Sequence, residues 1–146
     1  MKDAMTVQIL LVDDDEVDVM AIQRAFRQAK IGNPIHVARD GIEALAILRG
    51  ESSGRPLPRP FLILLDLNMP RMNGLEFLEQ LRADPDLDDS VVFVLTTSDD
   101  EEDKSRAYHQ HIAGYVVKSD PAKGFMQAID MLQAYWRVVE LPMVAA

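Results

Sequence analysis

Phe61-Leu62-Ile63-Leu64-Leu65 is followed at once by Asp66, and that junction decides the fold. Five consecutive apolar residues show no alternation, the pattern of a strand covered on both faces, as in a parallel sheet. The run is also far short of the roughly 20 apolar residues that cross a bilayer. Four further stretches of strand length lie outward from it: Gln8–Val12, Ile35–Ala38, Val91-Val92-Phe93-Val94-Leu95 and Gly114–Val117. Helix-period segments separate them. Val17, Met20, Ala21, Phe26 and Ala29 recur at helical spacing after the first. Gly41 opens Ile42, Leu45 and Leu48, and Gly74 opens Leu75, Leu78 and Leu81. Strand and helix alternating five times predict a doubly wound α/β sandwich: a five-stranded parallel sheet flanked by five helices.

Composition agrees. Core-forming residues make up 48% of the 146 and charged residues 27%, which excludes a disordered chain. The absence of cysteine excludes disulfides, thiolate metal sites and a cysteine nucleophile. Fifteen basic against twenty-four acidic residues give a net charge of −9 with no basic cluster, so nucleic acid is not an expected partner. Met1-Lys2-Asp3-Ala4-Met5 does not read as a signal peptide, and no run is long enough to span a membrane. A soluble, cytoplasmic domain is expected over residues 1–138. Residues 139–146 form a tail expected to pack on the core or on a dimer partner.

Three regions differ from the plain βα repeat. Residues 51–60 contain Gly54, Pro56, Pro58 and Pro60 and read as a loop. Residues 100–111 read as a helix with a thin apolar stripe, Ala107 and Tyr108, and a first turn of acids that suits the helix dipole. The last helix, Pro121–Val138, carries two adjacent stripes. One is Phe125, Ile129, Leu132 and Trp136; the other is Ala128, Met131, Tyr135 and Val138. That face is wider than one sheet contact requires, and the following tail, Val138-Val139-Glu140-Leu141-Pro142-Met143-Val144, is apolar too. Burial against the chain's own core is one explanation; a homodimer through this helix and tail is the favoured one.

Chemistry gathers where strands run out. Asp13-Asp14-Asp15 follows the first strand, Asp66 the third, Thr96-Thr97-Ser98 the fourth and Lys118 the fifth. In an open α/β sheet, ligands bind at these carboxyl ends. Neighbouring strands lie ~4.8 Å apart, so the acid cluster and Asp66 share one small volume if their strands are adjacent. Crowded carboxylates call for a raised pKa or a bound cation, and an all-oxygen donor set suits Mg²⁺. Lys118 brings a compact positive charge for a phosphoryl oxygen, and Thr96 a hydroxyl donor.

Those residues carry a resemblance. Val12-Asp13-Asp14, the run Asp66-Leu67-Asn68-Met69-Pro70-Arg71-Met72-Asn73-Gly74, Leu95-Thr96 and Tyr115-Val116-Val117-Lys118 resemble the receiver domain of two-component response regulators over residues 7–136. The resemblance implies the flavodoxin-like strand order 2-1-3-4-5 and phosphoryl transfer from a histidine kinase to Asp66. It implies Mg²⁺ on the side chains of Asp14 and Asp66, on the Asn68 backbone carbonyl, and on Asp13 through water. It gives Thr96 and Lys118 the phosphoryl oxygens, with Thr96 and Tyr115 as the switch pair. Asp15 has no such role and is expected to cap a helix. Ser119 follows Lys118 where most receivers have proline, which leaves the geometry of that bond open. The Lys118-Ser119 pair, Leu95-Thr96-Thr97-Ser98, the long loop before Asp66 and Tyr135-Trp136 resemble the subgroup that partners phytochrome-type kinases and often dimerises through its C-terminal region.

Two other readings fit parts of the sequence. Asp13-Asp14-Asp15-Glu16-Val17 fits the opening of a haloacid-dehalogenase-type phosphatase, with Asp13 as nucleophile, Asp15 as acid/base, Thr96 as phosphate ligand and Lys118 as the lysine. It lacks a later strand bearing an acid pair and leaves the Asp66 motif unused. A receiver-shaped scaffold that is never phosphorylated conflicts with the complete acceptor set. His109 and His111 point to different faces of a helix and read as surface residues; His36 reads as structural, and Tyr135 and Trp136 as core or interface. No output module fits after Trp136, so signalling by protein contact is expected.

Overall fold

A computed structural model describes residues 6–51, 53–118 and 121–143, with side chains left aside for 121–126. Five strands, β1 (Gln8–Val12), β2 (Ile35–Ala38), β3 (Phe61–Leu65), β4 (Val91–Thr96) and β5 (Gly114–Val117), alternate with five helices. These are α1 (Glu16–Gln28), α2 (Gly41–Arg49), α3 (Gly74–Ala83), α4 (Glu101–His109) and α5 (Pro121–Val138). All neighbouring strands pair parallel in the order β2-β1-β3-β4-β5. The strand and helix positions read from the sequence are therefore found, β4 running one residue further to take in Thr96.

β3 is the central strand, and all five of its residues are buried. Its side chains alternate between two cores. Phe61, Ile63 and Leu65 join the residues under α2 and α3, while Leu62 and Leu64 join those under α1 and α5. Each leucine sealed on both sides in this way is worth about 2–5 kcal/mol against truncation to alanine.

Helix caps follow the sequence. Asp15 caps α1, accepting from the amides of Val17 and Asp18 as expected, and Asp40 caps α2. Asn73 and Glu76 form a reciprocal capping box at α3. Gly50 ends α2 in the left-handed conformation at φ 74°, where a side chain would also strike the Arg55 backbone.

Some helix faces depart from the reading. Val17 and Met20 recur at helical spacing with the other apolar residues of α1, yet they are 74% and 61% exposed. The buried face is Ile22, Ala25 and Phe26; at 3.6 residues per turn, Val17 and Met20 lie roughly 140° and 160° round the helix from Ile22. Ile42 and Tyr108 are likewise exposed, leaving Ala107 as the buried residue of α4. In α5 the second stripe divides: Ala128 is buried with Ile129 and Leu132 of the first, whereas Met131 and Val138 face outward. Phe125 falls outside the described side chains. Trp136 stacks on Phe26 with ring centres 6.3 Å apart, and Tyr135 meets Phe93 edge-on at 5.0 Å. Leu141 of the tail is buried in the same core. His36 Nε2 pairs with Gln8 Oε1 between strands, and His109 and His111 lie on the surface.

Candidate phosphoryl-acceptor site

The sheet itself places the site. Its hydrogen-bond ladder runs one residue past the strand ends: Asp13 N–H donates to the Ala38 carbonyl, Asp66 N–H to Val12 and Lys118 N–H to Thr96. Because Val12 and Leu65 are in register on adjacent strands, Asp13 and Asp66 emerge side by side. Asp13, Asp66, Thr96 and Lys118 are all buried, and their polar side chains face one another.

Asp66 is held at one oxygen. Its Oδ1 accepts the Thr96 hydroxyl at 2.7 Å and the Asn68 amide at 3.3 Å. Its Oδ2 lies 3.8 Å from the Lys118 ammonium, beyond a hydrogen bond. Lys118 instead donates at 2.9 Å to Asp13 and at 2.9 Å to Asp18. Asp13 Oδ1 accepts the Asp15 amide.

One ammonium thus stands among three carboxylates. Burial pushes the Asp13 carboxyl up to about 6, against the pull of Lys118 and the Asp15 amide. Burial also works against the Lys118 charge, but Asp18, Asp13 and Asp66 more than offset it and hold the ammonium above its ordinary value. The lysine stays charged, and the pocket keeps more negative charge than it can balance.

That excess fits a hard divalent cation. Among the described residues, Asp13, Asp18 and Asp66 each place a carboxylate oxygen within 4.8 Å of the others. The Lys118 ammonium already lies among those three acids. Asp14 and Asn68, next in the chain to Asp13 and two residues after Asp66, line a groove of about 490 Å³ bounded also by Met69, Pro70 and Asp103. Of the residues expected from the sequence, Asp13, Asp66, Thr96 and Lys118 converge; Asp14 and Asn68 flank them. Ser119 falls outside the described residues, so the Lys118-Ser119 bond does too.

The loop after Asp66 is locked in place. A Cβ on Gly74 would sit 2.6 Å from the Asp66 carbonyl oxygen and 2.7 Å from Leu67 Cα, so the Asp66–Gly74 motif needs glycine at its end. Gly74 N–H donates to the Leu67 carbonyl and Gly41 N–H to Met72. Arg71, with φ 61°, reaches back to the buried Asp40 carboxylate, its Nε at 2.7 Å. Burial disfavours the Asp40 charge, yet the Glu43 amide, Arg71 and the Ile42 amide outweigh it and lower its pKa.

Thr96 leads into a segment tied by side-chain hydrogen bonds. Ser98 N–H donates weakly to the Thr96 hydroxyl, Ser98 Oγ donates to Asp103, and the Tyr115 hydroxyl donates to the Ser98 carbonyl at 2.8 Å. The half-buried Tyr115 ring lies under Lys104 at 5.8 Å.

Comparison with known proteins agrees with this geometry. The model of the response regulator receiver domain matches residues 9–130. The chain belongs to the response regulator receiver family. It is 36% identical to Response regulator Rcp1 of Synechocystis sp. over 92% of each chain. Among solved structures, the phosphorylated cyanobacterial phytochrome response regulator RcpA superposes with a TM-score of 0.85 at 35% identity, over 94% of this chain and 99% of that one. The bacteriophytochrome response regulator RtBRR gives 0.75 at 39% identity, over 94% and 85%. This receiver is therefore a signalling protein with the flavodoxin-like fold, and its relatives include phytochrome response regulators. Among the described residues no helix is long and apolar enough to cross a membrane.

Asp18 was missed by the sequence reading. It stands in the first turn of α1, where an acid is already explained by the helix dipole, and nothing local announces a partner 100 residues away.

Proposed function

We propose that Asp66 accepts a phosphoryl group from the phosphohistidine of a histidine kinase. One observation carries the reading: the Asp66 carboxylate is fixed through Oδ1 by Thr96 and Asn68 while Oδ2 stays outside hydrogen-bond range of Lys118. Oδ2 attacks phosphorus, the phosphorus–nitrogen bond breaks, and the acyl phosphate keeps the phosphoryl group that histidine released. Thr96 and Lys118 then take phosphoryl oxygens, which is electrostatic stabilisation by groups already in place. Asp14, Asp66, the Asn68 carbonyl and, through water, Asp13 are the groups that would hold Mg²⁺. The ion, when bound, supplies charge neutralisation for the transfer. Thr96 and Tyr115 form the switch, since both are tied to Ser98.

The kinase is proposed to be phytochrome-type, on the likeness to RcpA and RtBRR, and the setting cytoplasmic. The receiver domain is taken as residues 1–138 with the tail after it. The outward-facing Met131 and Val138, with Val139 and Met143 beyond them, support a homodimer through α5 and the tail. Output is by protein contact, without nucleic acid or membrane. Against the phosphatase reading, Asp15, its acid/base, is engaged in capping α1.

Incubation with acetyl phosphate and Mg²⁺ tests this. A stable adduct on the wild type and on Asp13→Asn, though slower on the latter, and none on Asp66→Asn is expected. Sustained turnover of acetyl phosphate abolished by Asp13→Asn would overturn it, and failure of the wild type to label with acetyl phosphate or a kinase would favour the scaffold.

A further inference from the structure

Lys118 is shared unequally. Its ammonium is 2.9 Å from Asp13 and 2.9 Å from Asp18, but 3.8 Å from Asp66. Asp13 and Asp66 belong to the strand ends, whereas Asp18 comes from the first turn of α1 and is the more solvent-accessible of the three, at 18%. An acceptor at that position holds the lysine toward α1. It also adds a negative charge beside the place where phosphoryl oxygens develop, and like charges so close in a buried site oppose one another.

We propose that Asp18 is a positioning residue that competes with the phosphoryl group for Lys118 and so limits how tightly the pocket retains phosphoryl on Asp66. The inference rests on the reading of Asp66 as the acceptor. In the unphosphorylated protein the Lys118–Asp18 bond keeps the ammonium beyond hydrogen-bond range of Asp66 Oδ2. On phosphorylation the lysine gives up part of its contact with Asp18 and turns to the phosphoryl oxygens, keeping Asp13. Each phosphorylation event thereby loosens one tie between α1 and the end of β5. The role asks for charge at position 18, not merely for a polar side chain of that shape.

Calorimetric titration with beryllofluoride, a phosphoryl mimic, at saturating Mg²⁺ tests the proposal on the full chain. Asp18→Asn preserves size and removes the charge, and is expected to bind beryllofluoride about three- to tenfold more tightly than wild type. Asp18→Glu restores the charge and is expected to return to within about twofold of wild type. A merely structural residue would weaken binding when replaced, or leave it unchanged. Binding by Asp18→Asn that is equal to or weaker than wild type therefore overturns the inference while leaving Asp66 as acceptor intact. No binding by the wild type, as by Asp66→Asn, overturns both.

Discussion

Two loops bring the decisive side chains to the site, and they are built differently. The loop after β3 carries Asp66 and Asn68 and is fixed by backbone contact and one buried ion pair: Gly74 against the Asp66 carbonyl, Gly41 hydrogen-bonded to Met72, Arg71 on the buried Asp40. β4 ends on Thr96, and the loop after it is held by side-chain hydrogen bonds through Ser98, next to a helix that buries a single residue, Ala107. Nucleophile geometry has to be permanent, because a misplacement of about 1 Å costs orders of magnitude in transfer rate. A reporter has to be breakable. Hydrogen bonds worth about 1 kcal/mol each can be exchanged, as the switch proposed at Thr96 and Tyr115 requires.

The largest expected effect breaks the rigid loop. Gly74→Ala drives a Cβ into the Asp66 and Leu67 backbone and should destabilise the fold by about 3 kcal/mol, read as a lowered chemical-denaturation midpoint with slower labelling by acetyl phosphate. An unchanged midpoint would show that this loop is not the rigid one.

Next comes the Arg71 anchor. Asp40→Ala loses a helix cap and a charged partner together, about 2 kcal/mol. Its pH dependence has a defined sign. The folded pKa of Asp40 lies below the ordinary 3.8, so its ionised form contributes stability above pH ~4, and that contribution is lost as pH falls through the lower folded value. Asp40→Asn keeps a capping oxygen without the charge. It should be less stable than wild type at pH 7 and converge with it in acid; a constant gap across that range would contradict the assignment.

On the looser side the effects shrink. Tyr115→Phe removes the bond to Ser98 and should cost about 1 kcal/mol or less, with faster amide exchange confined to α4 and the loop before it. Ser98→Ala, which releases the half-buried Asp103 carboxylate, should cost only a few tenths of a kcal/mol and give a weaker version of the same exchange pattern. Exchange spreading instead into α3 would erase the contrast between the loops.

Much of this was legible in the chain. Strands covered on both faces betray themselves as unbroken apolar runs, and polar residues at their ends mark where a sheet exposes chemistry. Asp66, Thr96 and Lys118 could be placed on those grounds, and the spacing after Asp66 made the resemblance specific. The rest depends on distance. Asp18 meets Lys118 across 100 residues, and Arg71 meets Asp40 across 31 through a left-handed backbone that nothing in its own sequence demands. The exposed side of α1 is not given by spacing, because Val17 and Met20 keep helical spacing with each other while lying opposite the face that Phe26 and Ile22 bury. Periodicity gives a stripe, but only packing against α5 and the sheet chooses which one is inside.

Borohydride reduction after incubation with acetyl phosphate and Mg²⁺ addresses the acceptor itself, because an acyl phosphate on aspartate is reduced to homoserine. Peptide sequencing should find homoserine at position 66 and at no other acid of the pocket. Homoserine at position 13, or none at all under conditions where phosphoryl donor is consumed, would contradict the assignment of Asp66.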